Sequence, residues 1–268
     1  MRLSITHTTT YSYERPVSYG LQELRLTPKS RATQKVLSWM TMVDGGKTEL
    51  EFVDQHMNEV RLISFEGDGH AITISCMGEV ETFDTAGVVG RHAGNAPLWL
   101  FRRPTDLTRA GNQTRQLTRG LLNDITDPID RMHRLSERVL EAVAYDTGHT
   151  DVHSSAEDVL TAGRGVCQDH AHVFIAAARS MGVPARYVSG YLLMDDRINQ
   201  DATHAWAEAH IDGIGWIGFD VSNEICPDER YVRVATGLDY TEAAPISGLR
   251  MGDHGTETLS VAIQIQQQ

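Results

Sequence analysis

The first hundred or so residues alternate apolar and polar side chains in short runs of period two, the pattern of half-buried strands. Leu3–Tyr13, Gln34–Val43, Glu49–Val53, Val60–Phe65 and Ala71–Phe83 are the predicted strands. They are separated by turn chemistry at Asp44-Gly45-Gly46, Asp54-Gln55-His56-Met57-Asn58 and Glu66-Gly67-Asp68-Gly69. That spacing predicts an antiparallel sandwich or barrel. Gly87–Arg119 is less regular and reads as a crossing between two parts of the chain. A helical period follows. Asp127-Pro128 supplies an N-cap and a first-turn proline, and Ile129, Met132, Leu135, Val139 and Val143 recur as one apolar stripe. Ser155-Ala156-Glu157-Asp158 resembles a weaker capping box opening a short helix that ends near Gly163. An alanine-rich run from Cys167 reads as another helix, stopped by Gly182 and Pro184. Strand-like runs close the pattern at Ala185–Leu193, His204–Ile211 and Trp216–Val221, and Gln266-Gln267-Gln268 reads as a frayed end. The expected fold is α+β: an N-terminal antiparallel β-sandwich-like domain over residues 1–115, then helices packed on an antiparallel sheet over residues 116–268.

Composition narrows the class. A chain of 268 residues with 41% hydrophobic content can bury one large core or two modest ones. A formal net charge of -12 argues against a phosphate-binding or nucleic-acid-binding protein. The three cysteines, Cys76, Cys167 and Cys226, are too few and too uneven for a disulfide framework, so a reducing compartment is expected. The N-terminus lacks a continuous apolar segment and no run approaches the length of a membrane span. A cytoplasmic location with no membrane partner is the expectation, and association into a homo-oligomer is left open.

The candidate chemistry centres on Gly163-Arg164-Gly165-Val166-Cys167-Gln168-Asp169-His170, which sets one thiol directly after a glycine-rich turn, in the first turn of a helix. The positive end of the helix dipole favours thiolate there, and the glycines allow a substrate backbone to come close. A base candidate, His204, lies in Thr203-His204-Ala205-Trp206-Ala207-Glu208-Ala209-His210. After the turn Asp212-Gly213 comes Gly215-Trp216-Ile217-Gly218-Phe219-Asp220. If the two runs pair as a hairpin, Asp220 can lie near His204 and orient its ring, although register is not fixed by sequence. Nucleophile, base and orienting carboxylate are the parts of an acyl-transfer site.

These blocks resemble the transglutaminase-like superfamily, a papain-like group of cysteine enzymes. The resemblance runs from about Ala144 to Asn223 and rests on GVCQDHAHVF around Cys167, GVPARYVSGYL from Gly182, THAWAE around His204 and GFDVSN around Asp220. It implies a papain-like core with Cys167 as nucleophile, His204 as general base and acid, and Asp220 as the orienting residue. Members often carry Asp-Pro-Thr at the third position; here it is Asp220-Val221-Ser222-Asn223, which bears on how the backbone turns after the carboxylate. The segments Ile5–Tyr13, Pro16-Val17 and Leu24–Pro28, and the tail Tyr231–Tyr240 with Ala244-Pro245-Ile246, resemble the bacterial members, which are generally described as cysteine proteases.

The resemblance implies a thioester mechanism. Amide hydrolysis of a peptide or protein substrate is the expected reaction; protein-glutamine transamidation shares every residue, and a silent binding or scaffold member is the alternative of another class. No calcium-binding loop is evident. An oxyanion needs donors beyond the Cys167 N–H, and Tyr145, in the loop before the core, is the candidate. Gln168 and Asp169 beside the thiol are expected to support the site, Trp206 to pack over the imidazole and shield it from water, and Glu208 to be structural. His170 and His172 invite a zinc reading with Cys167, His204 or His210, but residues two apart on a helix point in different directions. Neither a metal nor another cofactor is expected.

Overall fold

The computed structural model describes residues 1–66, 69–194, 197–252 and 255–268. Its mixed α/β architecture, built mostly from antiparallel sheets, matches the predicted class. One sheet has five strands in the order Asn199–Gln200, Glu257–Gln267, Arg2–Tyr13, Ala71–Thr82, Gln34–Asp44. A four-stranded sheet, Ile246–Met251, Tyr19–Thr27, Glu59–Glu66, Lys47–Val53, packs against it. Tyr13, Ile72, Ile74 and Cys76 from the first sheet meet Leu24, Leu26, Ile63 and Phe65 from the second in one buried cluster, which is the sandwich core. The predicted turn at Glu66–Gly69 falls partly on residues 67 and 68, outside the described residues.

Two expectations are corrected by the topology. The division at residue 115 assigned the end of the chain to the second half, yet Ile246–Met251 and Glu257–Gln267 return to the two N-terminal sheets. The glutamine-rich end is not frayed: it pairs along Arg2–Tyr13 from Leu3 opposite Gln267 to Tyr13 opposite Glu257. The reason is a period of two under polar letters, with Ile263 and Ile265 buried inward while Gln264 and Gln266 face out. Tyr19–Thr27 is also a strand that sequence pattern does not single out, because the adjacent polar pair Gln22-Glu23 breaks its alternation.

The second half is built on another five-stranded antiparallel sheet, ordered Tyr231–Gly237, Ala185–Leu192, His204–Ile211, Gly215–Phe219, Val88–Gly90. The helix Pro128–Ala142 starts as predicted, with the Asp127 carboxylate accepting from the N–H groups of Ile129 and Asp130, a cap worth about 1 kcal/mol. The helix Ala156–Ala162 opens on the Ser155–Asp158 capping box. Helix Cys167–Ser180 is apolar on nearly every side and is correspondingly buried, between the sheet and the other helices. Phe174 stacks on Phe219 of the sheet at 5.2 Å, tying the helix to the strand that leads into Asp220. No helix among the described residues is long and apolar enough to cross a membrane.

Candidate active site

Cys167 is the first residue of its helix because the preceding backbone leaves it no other place. Gly163 ends the previous helix in the left-handed region at φ 67°, and Arg164–Gly165 then pairs in parallel with Ala144–Tyr145. The Asp169 carboxylate reaches back one turn, accepting from the Val166 N–H at 2.7 Å and from the Thr150 hydroxyl at 2.7 Å. A Cβ at residue 165 would stand 2.7 Å from the Asp169 side chain, so this close approach requires glycine. Asp169 therefore supports the thiol through the backbone. Burial raises its pKa against those two hydrogen bonds. The first-turn N–H groups of a helix have no intrahelical acceptor, and the half-buried thiol sits among them.

His204 lies on the central strand of its sheet. The hairpin through Gly213 sets Ala207 opposite Phe219, so Asp220 follows immediately after the last pair and turns toward the histidine. The ring Nε2 meets Asp220 Oδ2 at 2.6 Å, with both side chains buried. Cys167 and His204 line the same cavity, and the thiol is near enough to bear on the ring's protonation. Burial alone would lower the imidazole pKa; Asp220 and then Cys167 outweigh it and raise it to about 10. The Asp220 carboxyl, pushed up by burial, is held below its ordinary range by His204, Asn223 and Tyr231. The Asn223 side-chain amide and the Tyr231 hydroxyl each donate to Oδ2 at 2.7 Å. Trp206 stacks on His204 at 6.2 Å, and Tyr231 packs edge-on to Trp206 at 5.4 Å, which keeps water from the buried side of the ring.

The structure thus brings Asp220 onto His204 through the hairpin, and the helix start places Cys167 in the same cavity as the histidine. Sequence reasoning missed Asn223 and Tyr231 as partners of the carboxylate. A 3-10 turn over Val221–Asn223 follows the carboxylate and brings Ser222 and Asn223 back toward the site. The Ser222 hydroxyl bonds His170 Nδ1 at 2.9 Å, and the Val143 carbonyl bonds Nε2 at 3.0 Å, so His170 bridges two elements. His172 is buried and its Nε2 accepts from the Tyr240 N–H at 3.1 Å. Glu208 is buried between Arg186 (2.6 Å) and Arg233 (2.7 Å) and takes no part in the thiol cluster.

The thiol opens into a cavity of about 470 Å³ lined by Tyr145, Gln168, Met194, Arg197 and His204 among others. A second cavity of about 660 Å³ shares Tyr145, Met194, Arg197 and His204 with it and continues past Asn223 and Tyr231. The imidazole therefore sits where two recesses meet. Tyr145 is more than half exposed at this junction and its ring lies 6.0 Å from that of His170.

Residues 115–221 match the transglutaminase-like superfamily, and residues 3–81 match the bacterial transglutaminase-like N-terminal region. An uncharacterized protein of Mycobacterium leprae (strain TN) is 30% identical over 278 residues, 98% of each chain. The chain belongs to the transglutaminase-like superfamily. An uncharacterized protein of Mycobacterium tuberculosis (strain ATCC 25618 / H37Rv) is 26% identical over 291 residues, covering 98% of this chain and 92% of its own. A solved structure described as "a Putative Cysteine Protease from Cytophaga hutchinsonii" superimposes with a TM-score of 0.78 at 22% identity, over 99% of this chain and 90% of that one. That likeness extends the shared fold over both the transglutaminase-like core and the N-terminal sheets. Membership supports a thiol-dependent enzyme in general terms.

Proposed function

We propose that this transglutaminase-like protein is an amide-bond hydrolase, a peptidase or amidase, in which Cys167 is nucleophile, His204 general acid and base, and Asp220 its orienting partner. One observation carries the reading: a buried imidazole bonded to a carboxylate at 2.6 Å lines the same cavity as the thiol at a helix start, at the junction of two open recesses. The raised imidazole pKa favours an imidazolium, the form that can protonate a departing amine. The thiolate adds to the amide carbonyl carbon, and first-turn N–H groups of the helix hold the oxyanion, with the Tyr145 hydroxyl as a further donor candidate. The imidazolium gives its proton to the departing amine as the C–N bond breaks, leaving a thioester. Water then adds to the thioester while His204 takes its proton, the C–S bond breaks, and the acid leaves.

The test is thiol chemistry followed by product mass. Iodoacetamide should alkylate Cys167 stoichiometrically and faster than Cys76 or Cys226, whose thiols burial pushes up in pKa, Cys76 to about 11. A Cys167 that stays inert in the folded protein would sink the enzyme reading and favour a silent binding role. Incubation with a peptide pool plus a primary amine then separates reactions: free acid marks hydrolysis, and an amine-substituted product marks transamidation.

The pH profile offers an independent check. A raised folded pKa means the imidazolium persists from acid pH up to about 10, so the alkaline limb of activity should lie near that value rather than near 6.5. Asp220→Asn removes the hydrogen-bonding charge that ranks first among the groups raising it. Its alkaline limb should fall by about one unit or more. An unmoved limb in that variant would remove Asp220 from its orienting role.

A further inference from the structure

The inner face of the sheet containing Arg2–Tyr13 serves two separate cores. Leu3 and Ile5 pack with Ile263, Ile265 and Tyr191, against the sheet that carries His204. Tyr13, at the other end, packs into the sandwich core with Leu24 and Ile63. His7, Thr9 and Tyr11 lie between, on the same face by the period of two. His7 is closed off, its ring nitrogens bonded to the Tyr191 hydroxyl at 2.9 Å and to Thr9 at 3.0 Å. Beyond it the cover thins, from buried Thr9 to partly buried Tyr11. Thr9 stands opposite Val261 and Tyr11 opposite Leu259, and Leu259 is 53% exposed although its register puts it on the inner face.

This gap is a cavity of about 270 Å³, lined by Tyr11, Ile246, Leu259 and Val261 from the strands and by Asp201, Ala202, Thr203 and Tyr240 on its other side. Those last four residues also line the cavity that holds Cys167 and His204. The recess therefore adjoins the thiol cleft across the segment 201–203, with the N-terminal sheet as its far wall, and Thr203 directly precedes the histidine. Ligand pockets commonly measure about 300–1,000 Å³, so this one suits a single side chain rather than a whole ligand. Its aromatic and aliphatic walls favour an uncharged guest, and the Asp201 carboxylate at the boundary disfavours an acidic one.

We propose that this chamber is a substrate subsite that takes an apolar side chain, aromatic or large aliphatic, from the peptide acyl donor, a residue or more from the amide attacked by Cys167. The inference rests on the reading of Cys167 as nucleophile. It gives the N-terminal sheets a share in specificity: the sheet supplies the wall, and the segment Asp201–Thr203 links that wall to the reacting centre.

The test uses pairs of peptidyl vinyl sulfones identical except for Phe or Ala at one position, scanned along the peptide. Cys167 labelling is followed by intact mass, and each rate is divided by the same variant's iodoacetamide rate. At one position Phe should label about tenfold faster than Ala, or more. Leu259→Asp and Tyr11→Ala should bring that ratio close to one; Leu259 is exposed, so its replacement spares the core. Met42→Ser, on the opposite face of the same sheet, should keep the preference. Equal labelling by Phe and Ala probes at every position, or an undiminished preference in both cavity variants, overturns the subsite while iodoacetamide still labels Cys167. Failure of iodoacetamide to label Cys167 overturns the nucleophile reading and the subsite with it.

Discussion

Cys167→Ala is expected to cut turnover of any peptide amide by about 10⁴-fold or more, because the covalent route disappears and only binding and oxyanion contacts remain. The same change should leave the melting temperature within a few degrees. Alanine is the best helix former, position 167 opens the helix, and the thiol is half-buried, so little packing is lost. The two measurements belong together: lost activity with a preserved melting curve assigns the thiol to chemistry, and retained full activity removes it from the mechanism. Intact-mass trapping of an acyl adduct on the wild-type protein, absent in the variant, would also name the acyl group of the substrate.

Glu208→Gln is expected to destabilise the fold by about 3–5 kcal/mol. Its carboxylate is fully buried, and removing the charge leaves Arg186 and Arg233 in the interior without their anion. Arg186 also lies over the Trp216 ring at 3.9 Å, so the cation cannot withdraw to water without unpacking the sheet. Burial would raise the Glu208 pKa, but the arginines, Arg186 first, bring it to about 2. A depressed carboxylate stabilises the fold above its ordinary value of about 4.5, and that stabilisation is lost as pH falls toward 2. Urea unfolding at neutral pH measures the loss, and the variant's stability should be flatter than the wild type's across that acid window. The double variant Arg186→Met, Glu208→Gln should lose less than the single one, since one stranded cation leaves with the anion. An unchanged urea midpoint in Glu208→Gln would refute the assignment.

Much of the site was legible in the letters because each part sits on a local signal. Gly163 and Gly165 announce a turn, the alanine-rich run announces the helix, and Asp212-Gly213 announces the hairpin that returns Asp220 to His204. Tyr231 was not legible. It opens a strand on the far side of the sheet from Gly215–Phe219, and no local pattern tells that its hydroxyl crosses to Asp220. Glu208 carried no local hint of its arginines either, because Arg186 and Arg233 arrive from two other strands.

The same distinction holds for the whole molecule. The sequence by itself determined the elements that close within a few residues: the caps at Asp127 and Ser155, the thiol at a helix start, the turn at Asp212-Gly213 between two strand-like runs, and through these the resemblance to the transglutaminase-like core. Their signals are backbone conformations and side-chain periods, which short stretches of chain encode. Only the tertiary structure decided that the last strand returns to pair with the first, that one sheet is shared between two cores, and that the gap between those cores opens beside the thiol. Pairing partners separated by most of the chain are selected by which apolar faces can be buried together, and that selection is made by the folded whole.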